Sequence, residues 1–353
     1  MQRPVRLGLV GLGRIGRLHA ENLIRSRAVE LVRIVDAVEE VARRSGAEHG
    51  LAWSTSYEDL LDDPGIEGVV LATPTPLHAE MVEQAAAAGK HAFCEKPIAI
   101  ELEATVRAIE AAEAAGTKLQ VGFHRRFDPH WAAAAARIRT GELGEVYLFR
   151  SSLRDMRPPS LAYVASAGGF FVDVTIHDLD AARWAIGEID EVTALGAVLT
   201  NPAFAEFHDL DHAVVVLRFA SGALGVIDNS RAAGYGYECS AEVIGSKATV
   251  RIGDHRRVHN EWLTPGQASV DWVADFTELF QQAYLVELEE FAAAIREDRT
   301  PAVTGQDALA AFMLARACER SLEEGRTIRL EREEGSRGVT YELQAIDTKG
   351  GNT

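Results

Sequence analysis

Hydrophobic positions in the first third of the chain alternate between short apolar runs and stretches with helical spacing. The apolar runs predict strands at residues 5–10, 30–35, 68–72, 91–94 and 118–122. Helical spacing between them predicts helices at residues 17–23, 37–44, 57–61, 77–88 and 101–115. Regular alternation of this kind predicts a parallel sheet with helices on both faces.

The pattern changes after residue 124 and becomes rich in strands. Helices are predicted at 129–140, 178–186, 276–297 and 306–324, and strands at 145–152, 212–220, 223–231, 238–244 and 249–252. Ser221-Gly222 joins two strongly alternating runs, which is typical of an antiparallel hairpin. The second part of the chain is therefore predicted to form an antiparallel sheet.

A glycine-rich turn follows the first predicted strand and precedes the first predicted helix. Gly11 permits a tight turn, Gly13 lets the backbone approach a phosphate, and Gly16 lets the helix pack close to the strand. The second strand ends in Asp36, whose carboxylate can accept hydrogen bonds from both hydroxyls of an adenine ribose. The same carboxylate repels a 2′-phosphate, so the pattern predicts NAD as the cofactor.

These elements predict the fold class and the domains. The class is α/β: an N-terminal Rossmann domain with a doubly wound parallel sheet, and a C-terminal α+β domain with a large, mostly antiparallel open sheet. We expect the NAD-binding domain to span residues 1–123, the second domain residues 124–340, and a frayed tail residues 341–353.

Composition and charge restrict the class of protein. A chain of 353 residues with 47% hydrophobic residues can bury the cores of two domains. A net charge of −17, without a basic cluster, argues against nucleic acid or a membrane surface as a partner. Three widely spaced cysteines and a first strand close to Met1 predict no disulfide framework and no signal peptide, and hence a cytoplasmic location.

Two groups of residues are candidates for the chemistry. Lys96 follows a buried strand, where it can donate to a substrate hydroxyl; alternatively it is a solvated lysine at a strand end. Asp173 and His177 are four residues apart, which places them on one face of a helix, with Asp173 orienting a His177 base. The alternative is a helix cap at Asp173 and a histidine satisfied in the core.

The chain resembles the glucose–fructose oxidoreductase and inositol dehydrogenase (Gfo/Idh/MocA) family over nearly its whole length. The resemblance rests on the segments GLGRIGRLHAEN (11–22), ATPTPLH (72–78), CEKPI (94–98), GFHRRFDP (122–129), GGFFVDVTIHDLDAARW (168–184), NSRAAGYGYE (229–238) and EVIGSKA (242–248). Within the family it is most similar to the inositol 2-dehydrogenase branch. This implies NAD-dependent oxidation of a cyclic polyol, such as myo-inositol, to the ketone.

The resemblance also implies roles for individual residues. His177 is the base, Lys96 holds and polarises the reacting hydroxyl, and Asp173 orients the pair. The implied substrate contacts are Arg126, Asp155 and Tyr235. The implied cofactor contacts are Gly11, Gly13, Arg14, Ile15, Gly16, Asp36, Thr73, Pro74, His78, Glu95 and Lys96. No metal is expected, and a homo-oligomer, either a dimer or a tetramer, is implied.

Several alternatives stay open at this point. The substrate could be an aldose or a sugar acid, the enzyme could be a glycoside hydrolase that uses NAD, or the chain could be an NAD-binding sensor without activity. Arg43 and Arg44 could still reach the 2′-phosphate of NADP. The segment His208–His212 has metal-ligand composition, but it lies in a loop without ligand spacing, so we expect no metal there. Cys94 lies in an apolar strand and is expected to be an inert core thiol.

Overall fold

The computed structural model of the chain describes residues 3–253, 255–335 and 338–346. They form two compact units. The first unit runs up to Phe127 and includes the later segment Gln282–Leu309. The second unit contains Asp128–Gln281 and the residues from Ala310 onward.

The first unit contains a six-stranded parallel sheet and its helices. The strands are β1 (Val5–Val10), β2 (Val29–Val35), β3 (Ala52–Ser54), β4 (Gly68–Leu71), β5 (His91–Glu95) and β6 (Leu119–Gly122). The helices between them are α1 (Arg14–Arg25), α2 (Glu39–His49), α3 (Glu58–Leu61), α4 (His78–Ala87) and α5 (Leu102–Ala115). The strand order β3-β2-β1-β4-β5-β6 reverses direction between β1 and β4, which confirms the predicted doubly wound sheet.

The rest of the chain supplies further helices and strands. The helices are α6 (Pro129–Arg139), α7 (Leu161–Val164), α8 (Ile176–Ile186), α9 (Phe276–Leu279), α10 (Gln281–Arg296) and α11 (Gly305–Glu324), with a π-helical turn at Phe171–Thr175 and 3₁₀ turns at Thr75–Leu77, His124–Phe127 and Pro202–Phe207. The strands are β7 (Val146–Arg154), β8 (Ile189–Ala197), β9 (His212–Phe219), β10 (Leu224–Ser230), β11 (Glu238–Gly245), β12 (Thr249–Ile252), β13 (Arg256–Thr264), β14 (Gln267–Trp272), β15 (Thr327–Gly335) and β16 (Gly338–Ile346).

The second unit is built on an eight-stranded sheet of order β12-β11-β7-β10-β9-β8-β15-β16. All its neighbours pair antiparallel except β7 and β10, which are parallel. Strands β13 and β14 form a separate hairpin. The predicted hairpin turn is confirmed: Gly222 has φ +89°, which favours glycine, and its amide donates to the Phe219 carbonyl.

The predicted division into domains needs two corrections. Helix α10 packs its Leu288, Phe291 and Ala292 into the core of the first sheet, beside Leu9 and Phe93, so this segment does not belong to the second domain. The apolar face of a helix has the same spacing whichever sheet it packs on, so the spacing in α10 did not indicate which domain the helix belongs to.

The tail was also predicted wrongly in part. Residues 341–346 belong to β16, which pairs with β15 from Thr327 opposite Ile346 onward. The charged run in β15 masked its alternation, although Ile328 and Leu330 are buried. Residues 347–353 lie outside the described residues.

Candidate active site

The glycine turn joins β1 to α1 and leaves the start of that helix open. Gly11 has φ +89°, and a Cβ on Gly16 would lie 1.8 Å from the Gly11 carbonyl oxygen. A Cβ on Gly13 would meet nothing within 4 Å. Arg14 and Ile15 form the first turn of α1, directly after Gly13 at the N-cap. The backbone amides of this turn can therefore receive a pyrophosphate, and the helix dipole favours its charge.

Asp36 lies at the end of β2 and is tied to the glycine turn. Its Oδ2 accepts from the Leu12 amide at 2.8 Å, and its Oδ1 accepts from the Val38 amide at 2.9 Å. Each carboxylate oxygen keeps further lone pairs for ligand hydroxyls. Arg43, which could have served a 2′-phosphate, is ion-paired with Glu40 on its own helix at 2.7 Å. This arrangement fits NAD better than NADP.

The loops after β4 and β5 are joined by one histidine. The ring of His78, at the start of α4, is buried between two backbone carbonyls. Its Nε2 lies 2.7 Å from the Thr73 oxygen and its Nδ1 lies 2.9 Å from the Pro97 oxygen. Burial lowers the pKa of His78, while the two carbonyls oppose that shift. His78 thus fixes Thr73 and Pro74 against the loop that carries Lys96.

Lys96 follows β5 directly and is half-buried. The peptide bond between Lys96 and Pro97 is cis. Burial lowers the pKa of His124 well below its ordinary value, and the nearby charges of Arg125 and Lys96 add to this. His124, which stacks on Tyr284 with ring centroids 4.7 Å apart, is therefore a neutral, packed side chain.

Glu95, the residue before Lys96, is partly buried and belongs to a group of two acids and a histidine. His19 Nε2 lies 2.6 Å from Glu95 Oε1, and within the described residues His19, Glu95 and Glu287 bring donor atoms within 4.8 Å of one another. Glu287 is fully buried, and neither of its carboxyl oxygens has a hydrogen-bond partner there. Burial raises the pKa of Glu287 well above its ordinary value, and Glu95 adds to the shift. Burial therefore favours the neutral, protonated form of Glu287.

Asp173 lies in the second unit, within the π-helical turn that precedes α8. Its Oδ1 accepts from the Tyr163 hydroxyl at 2.7 Å, and its Oδ2 accepts from Arg231 Nη2 at 3.0 Å. The sequence predicted an ordinary helix from Asp173 to His177, and this is wrong for the first part, where the Ile176 amide bonds back to the Phe171 carbonyl. Such π-turns are frequent at functional sites, because the extra residue displaces side chains from the helix face.

His177 is the second residue of α8 and is half-buried. The next residue, Asp178, is fully buried and accepts from Ser151 and from the amide of Asn229. Asp178 is therefore engaged in holding α8 on the sheet. Asp173 and His177 lie in the second unit and Lys96 in the first.

The three predicted substrate contacts lie in different surroundings. Arg126 is buried in the first unit, with Nη2 3.2 Å from Asp307 Oδ1, so its charge already has a counter-ion. Asp155 follows β7, and its backbone bonds to Ser230 and Ala233 join the loops after two parallel strands.

Tyr235 is half-exposed, and its hydroxyl donates to Glu238. It lines an open pocket of about 560 Å³ in the second unit, together with Arg154, His212 and Asp228. Arg154 is ion-paired with Asp228 and with Glu238. The pocket therefore presents hydroxyl, guanidinium and carboxylate groups, which suit hydroxyl-bearing ligands.

The segment His208–His212 has structural partners. Asp209 Oδ2 accepts from Arg231 Nη1 at 2.7 Å. Burial alone would raise the pKa of Asp211, but His212 and the amides of Leu199 and Thr200 hold it below its ordinary value. Both carboxylates thus have partners within the fold.

Cys94, Cys239 and Cys318 are buried free thiols, and burial raises the pKa of Cys94 well above its ordinary value, as expected for a core thiol. Within the part of the chain that the structure describes, no helix has the length and hydropathy to span a bilayer.

Sequence reasoning missed four side chains that surround the candidate residues. They are His19, Tyr163, Arg231 and Glu287. His19 had a signal, because it lies three residues beyond Gly16 on the buried face of α1. Arg231 and Glu287 had none, since each reaches its partners from a distant part of the chain.

Comparisons with known proteins agree with this architecture. Residues 5–123 match the description "Oxidoreductase family, NAD-binding Rossmann fold", and residues 135–330 match "Oxidoreductase family, C-terminal alpha/beta domain". The chain is 38% identical to the scyllo-inositol 2-dehydrogenase (NAD(+)) of Bacillus subtilis, covering 94% of this chain and 98% of that one. It is 40% identical to the myo-inositol 2-dehydrogenase of Thermotoga maritima, covering 93% and 99%.

Solved structures give the same result. The crystal structure of scyllo-inositol dehydrogenase from Lactobacillus casei, with bound NAD(H) and scyllo-inositol, superposes with a TM-score of 0.86. It is 27% identical to this chain, and the match covers 93% of this chain and 99% of that one. The two proteins therefore share their fold over more than nine-tenths of each chain.

Proposed function

This chain belongs to the Gfo/Idh/MocA oxidoreductase family, and from that premise we propose that it oxidises an inositol to the corresponding ketone with NAD. The observation that carries the proposal is collinearity with two inositol 2-dehydrogenases over more than nine-tenths of the chain. Lys96, Asp173 and His177 are all present as the reaction requires. The substrate class is a ring of secondary alcohols.

The cofactor end of the reaction belongs to the first unit. The open turn at Gly13 and the fixed carboxylate of Asp36 fit a pyrophosphate and a ribose with free hydroxyls. We assign the remaining cofactor contacts to Gly11, Arg14, Ile15, Gly16, Thr73, Pro74, His78, Glu95 and Lys96. When bound, NAD supplies the hydride acceptor.

The proton chemistry is assigned to three side chains. Lys96 Nζ donates to the oxygen of the reacting hydroxyl and stabilises the charge that develops there. A ring nitrogen of His177 takes the hydroxyl proton. Asp173, held by Tyr163 and Arg231, orients this base. The hydroxyl oxygen loses its proton, and the carbon that bears this oxygen loses a hydride, which leaves the ketone.

The remaining hydroxyls of the ring need polar partners. We assign Arg126, Asp155 and Tyr235 to this role. Tyr235 brings a phenol hydroxyl, and the guanidinium of Arg154 lies beside the same Glu238 that it contacts. Arg126 would act with its Asp307 partner in place, as one donor of an ion pair.

A homo-oligomer is part of the proposal. On the eight-stranded sheet, Leu195 pairs with Val214 and Val216 with Val226, so these apolar side chains share one face. Leu195 is 70% exposed and Val216 is 46% exposed. An exposed apolar sheet face favours burial against a second copy. Sedimentation of the wild type and of Val216→Glu tests this: we expect a dimer or tetramer that the variant weakens, and an unchanged assembly in the variant would contradict it.

We also propose a cytoplasmic location. Three buried free thiols in the described residues fit a reducing compartment. Fractionation of the source cells, followed by detection of this chain, tests that location.

The function is tested by NADH formation at 340 nm with myo-, scyllo- and chiro-inositol and common aldoses, each with NAD and NADP. We expect turnover with an inositol and NAD, and losses of at least about a thousandfold in kcat for Lys96→Met and His177→Asn. Lys247→Met and His130→Asn, both at exposed positions, are matched controls that should keep full activity. Activity on aldoses alone would overturn the inositol assignment, and glycoside cleavage without net NADH would indicate a hydrolase.

A further inference from the structure

A fully buried arginine connects Asp173 to a distant aspartate. Arg231 follows β10, and its side chain has no exposed surface. Nη2 lies 3.0 Å from Asp173 Oδ2, and Nη1 lies 2.7 Å from Asp209 Oδ2. One guanidinium therefore joins two carboxylates that are 36 residues apart in the sequence (209 − 173).

The geometry fixes the direction of the guanidinium. Its charge centre lies 5.2 Å from the centroid of the Phe170 ring and 5.8 Å from that of Phe204. Asp209 holds one arm of the planar fork, and the other arm contacts Asp173. A buried charge is tolerated only where it is paired, and here the pairing also sets the position of Asp173.

Other titratable groups face this cluster from two elements. Glu319 on α11 interacts electrostatically with Asp209, and Arg316 on the same helix is ion-paired with Glu319 at 2.6 Å. Tyr163 on α7 donates to the second oxygen of Asp173. Arg316 is thus engaged with Glu319, while Arg231 is in contact with both aspartates.

We propose that Arg231, anchored by Asp209, is a positioning residue that fixes the carboxylate of Asp173 and sets the electrostatic field at His177. This inference rests on the proposed function for its consequences in catalysis. It also gives a role to the aspartate of the His208–His212 segment. Asp209 holds the arginine that holds Asp173.

The proposal predicts opposite effects for the two partners of the ion pair. Arg231→Met removes a positive charge beside Asp173, so the imidazolium form of His177 becomes easier to form and its titration midpoint rises. Asp209→Asn removes a negative charge while it preserves the shape, so the midpoint falls. We expect each displacement to be about half a pH unit or more.

The first experiment is an NMR titration of the whole protein with ¹³C-labelled histidine. The chain has 11 histidines, and the resonance of His177 is assigned by its loss in His177→Asn. We expect a raised midpoint in Arg231→Met and a lowered one in Asp209→Asn. Midpoints that move together, or that stay at the wild-type value, overturn the proposal. If Arg231→Met does not fold, the direction in Asp209→Asn decides.

The second experiment separates position from charge. Arg231→Lys keeps the positive charge, but a lysine cannot bridge two carboxylates as a planar fork. We expect a midpoint near that of the wild type, with kcat lowered about tenfold or more and KM for NAD unchanged, because Asp173 is no longer held in place. Full kcat in Arg231→Lys would overturn the positioning role. Arg183→Gln, which removes the ion pair with Glu188 instead, is the control for the loss of an ion pair.

The two proposals fail in distinguishable ways. A wild type that oxidises no inositol contradicts the proposed function, while the histidine titration, which uses no substrate, still measures the effect of Arg231 and Asp209 on His177. Inositol oxidation with unmoved titration midpoints supports the function and contradicts the role of Arg231.

Discussion

The carboxylate of Asp36 accepts a hydrogen bond from the backbone amide of Leu12 at 2.8 Å, which joins the end of β2 to the glycine turn. The interaction fixes a negative charge beside the turn that we assign to the cofactor. A carboxylate twenty residues beyond Gly16 therefore indicates a dinucleotide site more strongly than the glycine turn alone.

Replacing Asp36 should change the cofactor preference. In Asp36→Asn the side chain still accepts from a backbone amide, but the charge is lost. Charge-assisted hydrogen bonds contribute about 1.5–3 kcal/mol, so we expect kcat/KM with NAD to fall about tenfold or more and the discrimination against NADP to weaken. Initial rates with both cofactors measure this. Glu39→Gln, at an exposed position on α2, is the control, and an unchanged NAD to NADP ratio would contradict the assignment.

Two glycines of the same turn should fail in different ways when replaced by alanine. A Cβ on Gly16 would lie 1.8 Å from the Gly11 carbonyl oxygen, so Gly16→Ala must displace backbone and should lose about 3 kcal/mol or more of unfolding free energy. Gly13 has φ −65° and open space beside it, so Gly13→Ala should fold normally and bind NAD at least about tenfold more weakly.

Urea unfolding and calorimetric titration with NAD separate the two cases. The assignment of the turn is contradicted by a Gly13→Ala protein that binds NAD as the wild type does. A Gly16→Ala protein with wild-type stability would contradict the packing of α1 on the turn.

The first sheet was predictable because its signals are local. The run from Val5 to Val10, the glycine turn and Asp36 are short patterns whose chemistry depends on adjacent residues. The hairpin at Gly222 was predictable for the same reason. Strands β3, β8 and β13 to β16 were missed, because β3 has three residues and charged or glycine positions mask the alternation of the others.

The candidate site was predictable only in part, because residues far away in the sequence hold its side chains in place. The spacing of Asp173 and His177 predicted their association on a helix, but the π-turn that carries Asp173 has no signature in hydrophobic period. Arg231 is a residue of ordinary appearance after a strand. The role of Arg231 depends on its ion pair with Asp209. By spacing, Asp209 belongs to the separate segment His208–His212, so this ion pair could not be predicted.

Acid should destabilise the first unit through His124. Burial lowers the folded-state pKa of His124 well below that of the unfolded chain, and Arg125 adds to this. The unfolded state therefore takes up the proton first, so stability is present above about pH 6.5 and is lost as the pH falls through the folded pKa. His124→Phe keeps an aromatic ring against Tyr284 and removes the titrating group.

Urea unfolding between pH 7.5 and 5 measures the effect of that substitution. We expect His124→Phe to lose less stability than the wild type over this range. His130→Asn, at an exposed position, should retain the wild-type pH dependence. If the unfolding free energy falls with pH equally in the wild type and in His124→Phe, the result would contradict a buried neutral imidazole at His124.

Glu287 should have the opposite dependence on pH. Its folded-state pKa is raised well above the ordinary value by burial and by Glu95, so the native protein holds a proton that the unfolded chain releases. The contribution to stability is full below about pH 4.5 and is lost as the pH rises through the folded pKa. Glu287→Gln keeps the shape and cannot ionise.

We therefore expect the Glu287→Gln variant to be more stable than the wild type at pH 8–9, with a difference that shrinks toward pH 5, measured by urea unfolding. Glu110→Gln, at an exposed position on α5, is the matched control and should leave the curve unchanged. A Glu287→Gln protein that is less stable than the wild type at pH 9 would mean that the ionised carboxylate is stabilised in the native state, for example by a cation held with His19 and Glu95.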